Sequence, residues 1–138
     1  MAGTTFTYEM ESEIRGFDVY GKAWRPTCTI GDLLSTDREL ANEDDKFAVG
    51  VYRTNHNKNE LVGHLPAEFS RIAAYFIQNG GEIFCKVTGK RVHSKGPRGG
   101  LAIPCKLRWT SSNKKHVRRL NKLIATETNK ILQRYGLA

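Results

Sequence analysis

Several things are scarce in this chain of 138 residues, which holds three cysteines, four prolines and two tryptophans. Cys28, Cys85 and Cys105 are an odd number with no paired motif spacing, which excludes a disulfide framework and fits reduced thiols buried as small apolar side chains. No apolar run is long enough to span a bilayer. The first residues lack the basic and apolar regions of a signal peptide, so an intracellular place, nucleus or cytoplasm, is expected. There is no G-x-x-x-x-G-K-[ST] loop, no H-E-x-x-H and no C-x-x-C. His56, His64, His93 and His116 stand at no ligand spacing, so neither a metal nor a cofactor is expected. Asp44 and Asp45 are neighbours on an extended stretch and point apart, which spoils them as a catalytic pair. The chain reads as a binding protein, not an enzyme.

What is abundant is positive charge, and it is unevenly placed. Net charge is +8, yet residues 1–45 carry four basic and ten acidic side chains. Residues 46–110 carry eleven basic and three acidic, and residues 111–138 seven basic and one acidic. Such polarity can present a basic surface to a polyanion. Charged residues at 26% and hydrophobic ones at 39% suit one globular domain with one modest core.

Period-two alternation dominates the middle of the chain. The sequence predicts a flexible segment over residues 1–11, then a strand from Glu11 to Tyr20. A broken strand is predicted over Cys28–Leu34, and a polar, acidic loop over Ser35–Asp45. Phe47–Arg53 and Glu60–His64 read as the arms of a hairpin joined by a turn-rich connector. Pro66 opens a helix with Phe69, Ile72, Ala73, Phe76 and Ile77 on one stripe, ended by Asn79-Gly80-Gly81.

Glu82–His93 and Leu101–Trp109 alternate cleanly and should pair antiparallel across the loop Ser94–Gly100. One face of that pair is apolar, with Leu101, Ile103, Cys105 and Leu107 buried. The other carries Lys86, Lys90, Lys106 and Arg108, a basic ribbon by geometry. Residues 111–138 form a separate object, a basic amphipathic helix with Val117, Leu120, Ile124, Thr128, Ile131 and Tyr135 on one face. Lys114, Lys115, Arg118, Arg119 and Lys122 crowd its first turns, the wrong end for the helix dipole without a compensating anion. A helix of this length is marginal alone, so it should dock on its own barrel or, through residues 113–135, on a partner or a second copy.

The sharpest stretch is Asn42-Glu43-Asp44-Asp45-Lys46-Phe47-Ala48-Val49-Gly50-Val51, followed by Val62-Gly63-His64-Leu65-Pro66. Asn42 and Asp45 can fix the turn into the strand by accepting backbone N–H bonds. His64 sits near a helix start, where it either bonds the turn or meets a phosphate oxygen. The order N-x-x-D-x-x-A-V-x-V, a short connection, V-G-H-L-P and then a helix resembles the signature of the HIRAN domain. That domain is a small β-barrel attached to DNA-repair and DNA-remodelling helicases, and it binds single-stranded DNA at the 3′ end.

The resemblance spans residues 12–110 and implies a mainly β fold, a small six-stranded barrel of the oligonucleotide-binding type. One helix would pack on it, with the C-terminal amphipathic helix appended. It further implies that Tyr20, or Phe17 in another register, stacks on a base. Asn42 and Asp45 would hold the terminal sugar. His64, Lys86, Lys90, Lys106 and Arg108 would hold phosphates. Single-stranded DNA or another nucleic acid is the expected partner, through binding alone, because no helicase motor is present in this chain. The rival reading is a protein-interaction module using Trp24, Phe47 or the C-terminal helix.

Overall fold

The computed structural model describes residues 4–16, 28–41, 43, 46–55, 58–93 and 101–134. Phe17, Tyr20, Trp24, Asn42, Asp45, Tyr135 and the expected loop over 94–100 lie outside the described residues. The strands are β1 (Phe6–Arg15), β2 (Leu33–Arg38), β3 (Val49–Asn55), β4 (Lys58–His64), β5 (Glu82–Val87), β6 (Val92–His93) and β7 (Leu101–Ser111). The helices are α1 (Ala67–Gln78), between β4 and β5, and α2 (Lys114–Arg134), after β7.

Six strands close a barrel in the order β1-β4-β3-β2-β5-β7 and back to β1, with short β6 added to β7. Every pairing is antiparallel. The expected barrel is therefore present, and β5 pairs with β7 as the alternation requires. Ile103, Cys105, Leu107 and Trp109 point inward and are buried, while Leu101 is half-buried. Trp109 meets Phe76 of α1 edge to face, ring centroids 5.5 Å apart, which joins helix and barrel into one core.

Three expectations move. Structure begins at Phe6, not Glu11, so residues 6–11 belong to the barrel and not to a flexible segment. β1 pairs with β7 along its whole length, from Phe6 opposite Ser111 to Arg15 opposite Ala102. That ladder places Tyr8, Met10 and Ile14 on the core side. Second, β2 occupies Leu33–Arg38, where a loop from Ser35 was expected. Its polar residues are tolerated because only alternate side chains, such as Leu34, face inward. Third, the expected single strand Glu82–His93 breaks between Val87 and Val92. Opposite the break stands Pro104 of β7, whose carbonyl accepts the Thr88 N–H at 3.0 Å. In an antiparallel strand a residue's N–H and C=O point the same way, so the N–H that proline lacks is missing on this side.

Pro66 precedes α1 with φ −54°, and the helix ends at Asn79, followed by Gly80 at φ 91°, a conformation other residues resist. Helix α2 does dock on its own barrel, packing on α1, β1 and β7. Leu120 and Ile124 are only 2% and 6% exposed, Val117 packs beside them, and Thr128 faces solvent.

Candidate functional site

The β4–α1 turn fixes one cluster. His64 ends β4 and lies opposite Gly50 of β3 and Arg15 of β1. Among the described residues, that Arg15–His64 pair is the single register at which β1 and β4 meet to close the barrel. Each side chain then finds a carboxylate. His64 Nε2 is 2.8 Å from Glu39 Oε2, just past the end of β2. The Arg15 guanidinium donates to Glu68 in the first turn of α1 at 3.1 Å and reaches Glu13 at 3.5 Å. The Glu39 pairing holds the imidazole in one orientation, half-buried at the surface.

Gly50 occupies the unspecified position of the A-V-x-V motif. A side chain there would meet the Tyr52 ring, since an added Cβ would stand 2.8 Å from it. Glycine thus lets Tyr52 lie flat along the outer face of β3. Burial raises the Tyr52 phenol above its usual range, and the charges of Glu39 and then Asp37 raise it further. Tyr52 also flanks a groove of about 570 Å³ over β2, with Leu33 and Ser35 on the floor and Phe84 of β5 opposite. Ser35 is in register with Tyr52 on one side and Phe84 on the other.

The basic ribbon forms, and only part of it is unpaired. Lys86 and Lys106 lie directly opposite each other, with Arg108 one step along. Glu9 of β1 takes two of these cations, Lys106 at 3.6 Å and Arg108 at 3.4 Å. Lys86 is exposed and has no ion pair among the described residues. Lys90 stands apart, between β5 and β6, in a hollow of about 640 Å³ with Cys28, Ile30 and Arg91.

The structure therefore divides the expected site. His64 is on β4 and Lys86 on β5, three strands apart in either direction around the ring. The groove over β2 lies on the path between them. Of the expected interaction residues, Phe47 packs partly against the core beneath Lys46 and Arg71, each about 5.1 Å from its ring centroid. Sequence reasoning missed Arg15, Glu39, Tyr52 and Phe84. Only Tyr52 left a local signal, the glycine two residues before it on a strand. Among the described residues no cluster could hold a metal, and no helix is long and apolar enough to cross a membrane.

Comparison with known proteins bears on family and fold. The HIRAN domain family model matches residues 8–112. Among solved structures, the crystal structure of the HIRAN domain of human HLTF superposes with a TM-score of 0.64 at 18% identity, covering 91% of this chain and 93% of that one. A protein from Lactobacillus plantarum superposes with a TM-score of 0.53 at 14% identity, covering 78% of this chain and 99% of that one. Identities this low speak to fold alone. No curated protein matches the sequence.

Proposed function

The chain belongs to the HIRAN domain family, and from that premise we propose that it binds single-stranded nucleic acid without catalysis and engages the 3′-hydroxyl end of a DNA strand. The observation that carries the reading is the family match over residues 8–112 on a closed barrel. DNA binding is the property that family membership supports. End recognition is the finer claim and rests on Asn42, Asp45 and the Gly63-His64-Leu65-Pro66 turn.

The chemistry of an end pocket is specific. A carboxylate near phosphates is repulsive, but as an acceptor for a terminal hydroxyl it is well matched, because an internal phosphodiester offers no O–H there. Asp45 and Asn42 take the terminal sugar, and His64, oriented by Glu39, takes an adjacent phosphate. Tyr20 stacks on the terminal base, with Phe17 as the substitute ring. The strand then crosses the groove over β2, where Tyr52 and Phe84 offer ring faces. It reaches Lys86, Lys106 and Arg108 of the ribbon on the far side, with Lys90 in its separate hollow beyond β5. A DNA-binding chain with reduced thiols belongs inside the cell, in nucleus or cytoplasm.

The test is binding of labelled oligonucleotides with a free or phosphorylated 3′ end, over a salt series. Phosphate at the end leaves Asp45 without its donor and adds like-charge repulsion, a penalty of about 1–3 kcal/mol or more. The 3′-phosphorylated strand should bind at least about tenfold more weakly. Asp45→Ala should erase that difference. Equal affinity for both ends in the unmodified protein removes end recognition and leaves general nucleic-acid binding standing.

A further inference from the structure

Helices α1 and α2 pack side by side and leave a groove of about 500 Å³ between them. Its floor is apolar, made by Ile72 and Phe76 of α1 with Leu120 and Leu123 of α2. Two large side chains remain open to solvent there, Tyr75 at 57% exposure and Leu123 at 41%. Arg71 and Arg119 stand on its two banks, one on each helix, and no carboxylate among the described residues lines it. His116 also faces the groove, and its Nδ1 is buried without a hydrogen-bond partner among the described residues.

The outer side of α2 continues this charge. Lys115, Arg118, Arg119 and Lys122 border a shallow depression of their own. Lys115, Arg118 and Lys122 fall on the helix side opposite the docked Leu120–Ile124 line. None of these four cations has an ion pair among the described residues, and the first turn of α2 holds no acidic residue. Docking on the barrel has thus buried Leu120 and Ile124 and left the first-turn cations of α2 without an acidic residue beside them, Asn113 Oδ1 capping the helix by accepting the Lys115 N–H at 3.0 Å. An aliphatic trough with arginine banks and a basic shoulder is complementary to a segment with apolar side chains on one side and carboxylates on the other.

We propose that the α1–α2 groove is a docking site for an acidic amphipathic helix of a partner protein. Leucine or phenylalanine anchors of that helix lie in the trough between Tyr75 and Leu123. Its carboxylates meet Arg71, Arg119 and the outer cations of α2. This is the helix-in-groove mode of recognition, in which apolar anchors supply affinity and flanking charges set partner and direction. The floor argues for a peptide over a nucleic-acid strand. A strand gains from ring faces and cations, whereas Ile72 and Leu123 offer aliphatic surface that suits apolar side chains. The site is independent of end recognition, because it uses neither the β4–α1 turn nor the β5–β7 ribbon.

The experiment uses the whole chain and a fluorescent peptide of about four helical turns, with leucine and phenylalanine at i, i+3, i+4 and i+7 and glutamate elsewhere. Fluorescence anisotropy should show saturable binding, and the same peptide with lysine for glutamate should not bind. Leu123→Glu and Arg119→Glu alter exposed positions, so both should keep the parent melting temperature. Each should weaken the acidic peptide by at least about tenfold, with affinity for a 3′-hydroxyl oligonucleotide unchanged. Amide shifts on adding peptide should cluster in residues 71–79 and 116–123. No saturable binding, equal binding of the lysine peptide, undiminished binding by both variants, or shifts located elsewhere would overturn the proposal. Displacement of the peptide by the oligonucleotide, with oligonucleotide affinity also lost in Arg119→Glu, would make the groove a nucleic-acid arm and overturn it as well.

Discussion

Glu9 sets how much of the ribbon's charge an anion can use. It stands across β1 from Arg108 and reaches both Arg108 and Lys106. All three side chains are more than a third exposed, so these ion pairs contribute little to stability. Glu9→Gln should leave the melting temperature nearly unchanged. It should raise oligonucleotide affinity and steepen the salt dependence by roughly 0.7 for each cation newly engaged with a single strand. An unchanged slope would place the ribbon off the nucleic-acid path. Cys85 carries a different consequence. Its hydrogen bond with Cys105, and then burial, hold the thiol well above its ordinary range. A folded-state value above the unfolded one means this stabilisation is intact below the unfolded value, about 8.5, and is lost as pH rises through and beyond it. Melting temperatures at about pH 7 and about pH 10 should therefore differ less in Cys85→Ala than in the parent. An equal difference in both would show that Cys85 does not drive the alkaline loss.

At the scale of elements, α2 is a structural member as well as a charged surface. Leu120 is nearly completely buried against the rest of the core. Leu120→Ala should destabilise the fold by about 2–5 kcal/mol, read as a lower urea midpoint with the slope preserved. A midpoint shift within the noise would mean that α2 rests on the barrel without holding it. The apolar stripe of α2 was legible in the sequence, as were β5, β7 and α1, because each carries its own period and its own stops. Strand β1 was less so. Glu9, Glu11 and Glu13 dominate its composition, and its start is decided by the ladder to β7, about a hundred positions away. Pro104 shows the same limit from the other side. It sits within a strand that the alternation predicts, yet its effect falls on residues 88–91, beside it in the sheet. The candidate site divided along the same line. The Gly63-His64-Leu65-Pro66 turn was readable, whereas the pairings His64–Glu39 and Arg108–Glu9 join residues 25 and 99 positions apart. No local pattern announces such partners.

At the scale of the whole molecule, the ladders among the described residues differ in length around the ring. Strand β7 is held by β1 along one side and by β5 and β6 along the other. Among the described residues, β1 meets β4 at the one Arg15–His64 register. Its backing comes from side chains, Arg15 to Glu68 and His64 to Glu39. Local opening follows the weakest fastening, at a free energy below that of global unfolding. In deuterated buffer, the amides of Arg15 and His64 should exchange well before those of Cys105, Leu107 and Trp109. Glu68→Gln should quicken the first pair and leave the second set unchanged. Uniform protection around the ring would mean that the barrel opens only as a unit. If the early exchange is seen, this molecule has a preferred place to come apart, and it lies beside the histidine that the proposed end-binding pocket uses. A ligand seated there would then slow deuterium uptake at the join itself, so protection from exchange would report occupancy.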